Sequence, residues 1–199
     1  MGEDEGKLIV ESRLASHVAR RPSSDPFGAI CTALHMPKIG HQYVLSPPPP
    51  PPRRLCCVVG PHWSGLFYTA SIVLVATLFM THTAMRDFAP EYRAICVVFA
   101  ALTLLFLMLT GCTNPGIVRQ SAERRPDSRW CDECEIFISK GTQHCEDCAV
   151  CIEGHDHHCP WIGTCVGRGN WRWFQLFNVS WVCYILYASA VMVIRGGDE

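Results

Sequence analysis

The chain of 199 residues carries 17 Lys and Arg against 18 Asp and Glu, a net charge of −1 at pH 7, and is 49% apolar with only 18% charged residues. That balance excludes a disordered chain, which needs more charge and fewer apolar residues, and a nucleic-acid binder, which needs a basic excess. Thirteen cysteines make an odd and high count. Seven of them (Cys131, Cys134, Cys145, Cys148, Cys151, Cys159 and Cys165) share one short window with His144, His155, His157 and His158, so metal or thiol chemistry fits better than a disulfide framework.

In chain order, residues 1–54 read as a cytosolic N-terminal region. Met1-Gly2-Glu3-Asp4-Glu5 is acidic where a signal peptide needs basic residues, and Gly6 breaks the myristoylation pattern. Lys7 to Arg21 sets Leu8, Leu14 and Val18 between basic residues, which reads as loose coil with a hint of a membrane-surface helix. The six prolines from Pro47 to Pro52 predict a stiff polyproline II rod, a spacer in preference to a partner-binding ligand. Cys56 and Cys57 follow at a position where cysteines can be lipidated, although a small buried hydrophobe is the commoner role.

Three stretches, Trp63 to His82, Ala94 to Cys112 and Trp173 to Ile194, contain no Asp, Glu, Lys or Arg. Each matches the roughly 20 residues that a helix needs to cross a hydrocarbon core, and Trp63, Tyr92 and Trp173 stand near their ends as interfacial aromatics do. The sequence therefore predicts an α-helical multi-pass membrane protein with transmembrane helices 1 and 2 in residues 55–112, a cysteine-rich domain in 113–172 and transmembrane helix 3 with a short tail in 173–199. Arg53 and Arg54 precede the first span, and Arg119, Arg124, Arg125, Arg129, Lys140, Arg168 and Arg172 lie between the second and third. The first loop has only Arg86 and Arg93, and the tail only Arg195, so the positive-inside rule puts the N-terminus and the cysteine-rich domain in the cytosol. That compartment is reducing, which favours thiolate-metal bonds. Asn178-Val179-Ser180 matches a glycosylation acceptor but falls inside a predicted span, where it is inert.

Within the domain, Cys131-x2-Cys134 and Cys145-x2-Cys148 are two zinc knuckles, and Cys151 adds a third step. A two-residue spacer lets one tight turn present both sulfurs to a single tetrahedral ion. Two such ions need eight ligands from the seven cysteines and four histidines of the window, so at least three groups are left over. His155-Asp156-His157-His158-Cys159-Pro160-Trp161 holds a carboxylate, imidazoles and a thiol almost side by side. These can act as orienting acid, base and nucleophile, the imidazole raising the thiolate fraction of a thiol near pKa 8.5. Spacing alone leaves this open against the alternative that every one of them ligates or supports a metal.

The ordered set Cys131-x2-Cys134, His144-Cys145-x2-Cys148-x2-Cys151, Asp156-His157-His158-Cys159-Pro160-Trp161, Cys165-Val166-Gly167, Asn170 and Phe174 resembles the cysteine-rich domain of the DHHC-type protein S-acyltransferases (palmitoyltransferases). The resemblance implies two structural Zn2+ ions, one on Cys131, Cys134, His144 and Cys151 and the other on Cys145, Cys148, His158 and Cys165. It implies Cys159 as the nucleophile that accepts an acyl group from acyl-CoA (palmitoyl-CoA), His157 as general base and Asp156 as its orienting group. It implies acyl contacts from Trp161, Phe174 and Tyr184, and substrate proteins with cytosolic juxtamembrane cysteines, in an endomembrane of Golgi or ER type or in the plasma membrane. His155 has no family role and is expected to be exposed. Along the third span Phe174, Phe177, Trp181 and Tyr184 recur at helical spacing; packing is the expectation for Phe177 and Trp181.

The sequence departs from that family at Asn114-Pro115-Gly116, where the family has Asp-Pro-Gly, and at Thr164, where it has Asn. Ile138 to Gln143 lacks the usual Arg-Pro start. The family's fourth span and its Thr-Thr-x-Glu motif are not found. Two functional expectations therefore stand: an S-acyltransferase working through Cys159, or a catalytically inactive membrane scaffold or adaptor that keeps the zinc fold.

Overall fold

The computed structural model describes residue 34 and residues 36–45, 57–119, 124 and 126–197. The N-terminal coil, the proline rod and Cys56 lie outside the described residues. Three helices take up the apolar runs: α1 (Trp63–Phe79, carried on by a π-helical turn at Met80–Ala84), α2 (Pro90–Cys112) and α3 (Trp171–Gly197). Spans of 22, 23 and 26 residues rise about 33 to 39 Å at about 1.5 Å per residue, enough for a hydrocarbon core of about 30 Å. Large apolar side chains such as Phe67, Val75, Leu78, Val98, Leu186 and Val193 point outward on all three helices. Helices apolar all round belong inside lipid.

The hydroxyls of Thr69, Thr77, Thr81, Thr103 and Thr110 donate to the carbonyl one turn back, which satisfies groups that lipid cannot. The three expected spans fall within these helices. Helix α2 starts four residues before the expected span, because Pro90 with its missing N–H suits the first turn. Its Glu91 and Arg93 belong to a helical end that a charge-free window excludes.

At the end where α2 leads into the cysteine-rich segment, the chain folds into short hairpins. The segment before α1 forms a three-stranded sheet of β1 (Lys38–Ile39), β2 (Gln42–Val44) and β3 (Val58–Val59). After α2 come three antiparallel hairpins, β4 (Arg129–Cys131) with β5 (Ile136–Ile138), β6 (Thr142–Cys145) with β7 (Val150–Glu153), and β8 (His157–Cys159) with β9 (Thr164–Val166).

One apolar cluster, including Val73, Met80, Cys96, Ala100, Tyr184 and Val191, joins all three helices. A second, of Leu66, Leu107, Ile162 and Val166, joins helices α1 and α2 to the last hairpin, with Cys159, Phe174 and Phe177 packed on it. This second cluster seats the site against the helices. Two asparagines fix the joints. Asn114 Oδ1 accepts from the N–H groups of Gly116 and Ile117, both at 2.9 Å, so the turn after α2 keeps its side-chain bond with Asn in the place of Asp. Asn170 is fully buried. Its Nδ2 donates to the carbonyls of Thr110 (3.0 Å) and Cys165 (2.9 Å), and its Oδ1 accepts from Gly167 N–H at 2.9 Å, tying α2, β9 and α3 together.

Candidate metal centres and reactive cysteine

The two knuckles are built alike. The residue after the second cysteine of each, Glu135 and Ala149, holds φ of 52°, a left-handed turn that folds the loop back so that both sulfurs face one point. Strand register then brings in the remaining ligands: His144 pairs with Cys151 across β6 and β7, and His158 pairs with Cys165 across β8 and β9. The result is two interleaved groups, Cys131, Cys134, His144 and Cys151, and Cys145, Cys148, His158 and Cys165, with ligand atoms within 4.8 Å of one another in each. They are the two sets that the resemblance implied.

In the first group the sulfurs of Cys131, Cys134 and Cys151 lie 3.8, 3.2 and 3.9 Å from His144 Nδ1. In the second those of Cys145, Cys148 and Cys165 lie 3.7, 3.3 and 3.5 Å from His158 Nδ1. Tetrahedral zinc, with Zn–S near 2.3 Å and Zn–N near 2.0 Å, spaces its ligand atoms about 3.5 to 3.8 Å apart. Three thiols and one imidazole at these separations fit that ion.

Packed together, the thiols oppose one another's ionisation. Cys134 is drawn down to about 6, chiefly by a hydrogen bond with Cys151, whose own thiol that contact pushes up. Cys145 is pulled well below the ordinary thiol range by its bond with Cys148, and it pushes Cys148 up to about 12 and Cys165 higher still. A divalent cation removes this opposition by pairing every thiolate at once.

Of the seven cysteines between 131 and 165, Cys159 stands outside both groups. Successive side chains on a strand face opposite ways, so His157 and Cys159 share one face of β8 while His158 turns to the other, toward its thiols. Beside that face Asp156 Oδ2 accepts from His157 Nδ1–H at 2.7 Å, which leaves the other ring nitrogen as the basic one. The His157 ring meets Phe174 edge to face, with centroids 5.6 Å apart. Cys159 is half-buried, backed by the Leu66 and Leu107 cluster.

The loop after Cys159 is held by backbone contact with the start of α1. Thr69 Oγ1 donates to the Trp161 carbonyl at 2.8 Å, and Cys159's own carbonyl accepts from Ile162 and Gly163 N–H. A Cβ on Gly65 would meet the Pro160 carbonyl oxygen at 1.8 Å, so only glycine permits this approach.

The three expected acyl contacts are dispersed. Phe174 lies beside His157 and Cys159. Trp161 is 61% exposed and leans on Tyr68 of α1, with ring centroids 6.0 Å apart. Tyr184 is buried deep between helices, its hydroxyl 3.0 Å from that of Thr77. Phe177 and Trp181 pack against different helix clusters, as their spacing predicts. One expectation is corrected: His155, which follows the left-handed turn at Gly154, is half-buried, and both its ring nitrogens are buried without a hydrogen-bond partner among the described residues. The Thr164 hydroxyl is likewise buried and unpartnered among them. His62, which the sequence reading did not single out, lies 2.8 Å from the far nitrogen of His158. A contact spanning 96 positions has no local signature.

A family model described as DHHC palmitoyltransferase matches residues 124–195. The "Probable protein S-acyltransferase 6" of Arabidopsis thaliana is 26% identical over 179 residues, covering 69% of this chain and 44% of that protein. The "Palmitoyltransferase ZDHHC9" of Homo sapiens is 28% identical over 170 residues, covering 65% and 46%. The "Palmitoyltransferase ZDHHC5-B" of Danio rerio is 29% identical over 144 residues, covering 59% and 21%. The chain thus spans less than half the length of these relatives.

Proposed function

For a chain that carries a DHHC palmitoyltransferase domain over residues 124–195, we propose the activity of a membrane-embedded protein S-acyltransferase that moves a palmitoyl-type group from acyl-CoA to cysteines of substrate proteins through a thioester on Cys159. The observation that carries the proposal is the division of labour in the cysteine window. Six thiols are gathered into the two metal-ligand groups, and the seventh shares a strand face with an imidazole already bonded to a carboxylate.

In the first half-reaction His157 takes the proton of Cys159, with Asp156 holding its ring. The Cys159 sulfur then adds to the thioester carbonyl carbon of acyl-CoA, the carbon–sulfur bond to CoA breaks, and CoA leaves as the thiol with the proton from His157. In the second, a substrate cysteine gives its proton to His157 and attacks the Cys159 acyl group, and Cys159 departs and recovers the proton. Two Zn2+ ions held by the two Cys/His groups would supply structure, fixing the hairpins that present β8. Phe174 is assigned the first contact with the acyl chain, Trp161 the interface and Tyr184 a position about 15 Å farther along α3, ten residues at about 1.5 Å each. The excess of Lys and Arg on the hairpin side supports a cytosolic domain in an endomembrane of Golgi or ER type or in the plasma membrane, facing substrate proteins with juxtamembrane cysteines.

Purified chain in lipid nanodiscs, given alkyne-tagged palmitoyl-CoA, should take up a hydroxylamine-labile label that Cys159→Ser abolishes. Retention of two Zn2+ with no label in the wild-type chain would overturn the enzyme reading in favour of a scaffold.

A further inference from the structure

Beyond the eight ligands, the second metal group meets the segment ahead of α1 at His62 and at the hairpin that carries His41 and Gln42. His158 turns Nδ1 toward Cys145, Cys148 and Cys165 and its Nε2 toward His62 Nδ1, 2.8 Å away, with the two rings edge to face and centroids 4.9 Å apart. A ligating Nδ1 has given up its lone pair, so the proton of the His158 ring sits on Nε2 and His62 Nδ1 accepts it. His62 makes no side-chain capping bond on α1. Its backbone is fixed instead, N–H to the Gly163 carbonyl at 3.3 Å.

Gln42 belongs to the hairpin docked on the knuckle of the same group. It is fully buried, and neither its Oε1 nor its Nε2 finds a hydrogen-bond partner among the described residues. Its neighbour in sequence, His41, is hydrogen-bonded to the Cys148 carbonyl, which sets this stretch of chain on the knuckle of the second group. A buried amide without a partner is unfavourable, and a fully charged metal thiolate is the kind of acceptor that would satisfy its N–H. The hairpin carrying Gln42 is clamped to this knuckle: His41 N–H donates to the Cys148 carbonyl and His41 Nδ1 to the Asp147 carbonyl, both at 2.8 Å. No hydrogen bond from the segment before α1 reaches a ligand of the first group among the described residues.

We infer that the segment before the first span forms the outer shell of the second metal group, with His62 as the positioning residue that locks the His158 ring and Gln42 as a buried amide donor to the same knuckle. The shell ties the membrane helix to the strand that bears Cys159, since His158 is its neighbour in sequence. The inference rests on the reading of both groups as zinc sites, and the zinc content of the wild-type chain tests that reading separately.

The experiment uses the full chain in nanodiscs, loaded with Zn2+ and challenged with a chelator plus N-ethylmaleimide, with alkylation mapped cysteine by cysteine by mass spectrometry. In His62→Ala, Cys145, Cys148 and Cys165 should be alkylated about tenfold faster than in wild type, the usual size of an outer-shell effect, while Cys131, Cys134 and Cys151 keep their rate. His62→Asn, which puts an acceptor near the place of Nδ1, should return the rate toward wild type, and Gln42→Leu should give a smaller rise confined to the same three thiols. A wild-type rate in His62→Ala, or an equal rise in both groups, would overturn the inference.

Discussion

The two metal groups have the same three thiols and one imidazole, the same knuckle turn and the same cross-strand pairing, yet their surroundings differ. The first group is backed by Ile136 and Ile138 of its own hairpin and by Val118 from the segment after α2, whose N–H donates to the Cys151 carbonyl at 2.9 Å. The second shares β8 with Cys159, meets His62 and, through His41, the hairpin of the segment before α1, and lies next to the loop that docks on Gly65. Under the proposed function, identical ligand chemistry serves two tasks: the first group holds a fold, and the second holds the geometry of the strand that bears Cys159. That difference comes from long-range contacts and not from the ligands.

The largest expected effect sets one group against the other. Losing a ligand of the second group in His158→Ala should release one Zn2+ and lower Cys159 acylation by at least about a hundredfold, because the base and nucleophile lose their rigid strand. Cys131→Ala should also release one Zn2+, but its main signature should be protease sensitivity around residues 129–138, read by limited proteolysis. Equal loss of acylation at equal folding in both variants would break the distinction.

A narrower test keeps both metals. Asp156→Asn removes the charge that orients His157 and stabilises its protonated form, so the acylation rate should fall about tenfold to a hundredfold with zinc content unchanged. Stopped-flow or gel-based single-turnover labelling measures it.

Packing comes next in size. Asn170→Ala leaves the buried Thr110 and Cys165 carbonyls and the Gly167 N–H without their partner and should cost about 2 to 4 kcal/mol, visible as a lowered thermal midpoint in detergent. The smallest effect is a gain. Glu135→Gly and Ala149→Gly each relieve a left-handed φ of 52° and should stabilise their own knuckle by up to about 1 kcal/mol, read as slower zinc release from that group alone.

Much of this was legible in the sequence where a short-range pattern carried it. Charge-free runs gave the three helices, because lipid admits apolar helices and little else. The CxxC spacing announced two metal sites but left the partition among seven cysteines and four histidines open. That partition depends on the register that sets His144 opposite Cys151 and His158 opposite Cys165, and only the family resemblance anticipated it. Helix ends at Pro90 and Trp171 escaped a window that rejects charge. The contact of His62 with His158 was not legible at all, since a partner 96 residues away leaves no trace in local spacing.

The central claim is that six cysteines of the window are metal ligands and the seventh is the nucleophile, and its most direct test is to locate the acyl group. Zinc-loaded chain is reacted with alkyne-tagged palmitoyl-CoA for less than one turnover, digested under conditions that keep thioesters intact, and mapped by mass spectrometry. The account predicts the adduct on Cys159 and none on Cys131, Cys134, Cys145, Cys148, Cys151 or Cys165. An adduct on any of those six with Cys159 unmodified would contradict it.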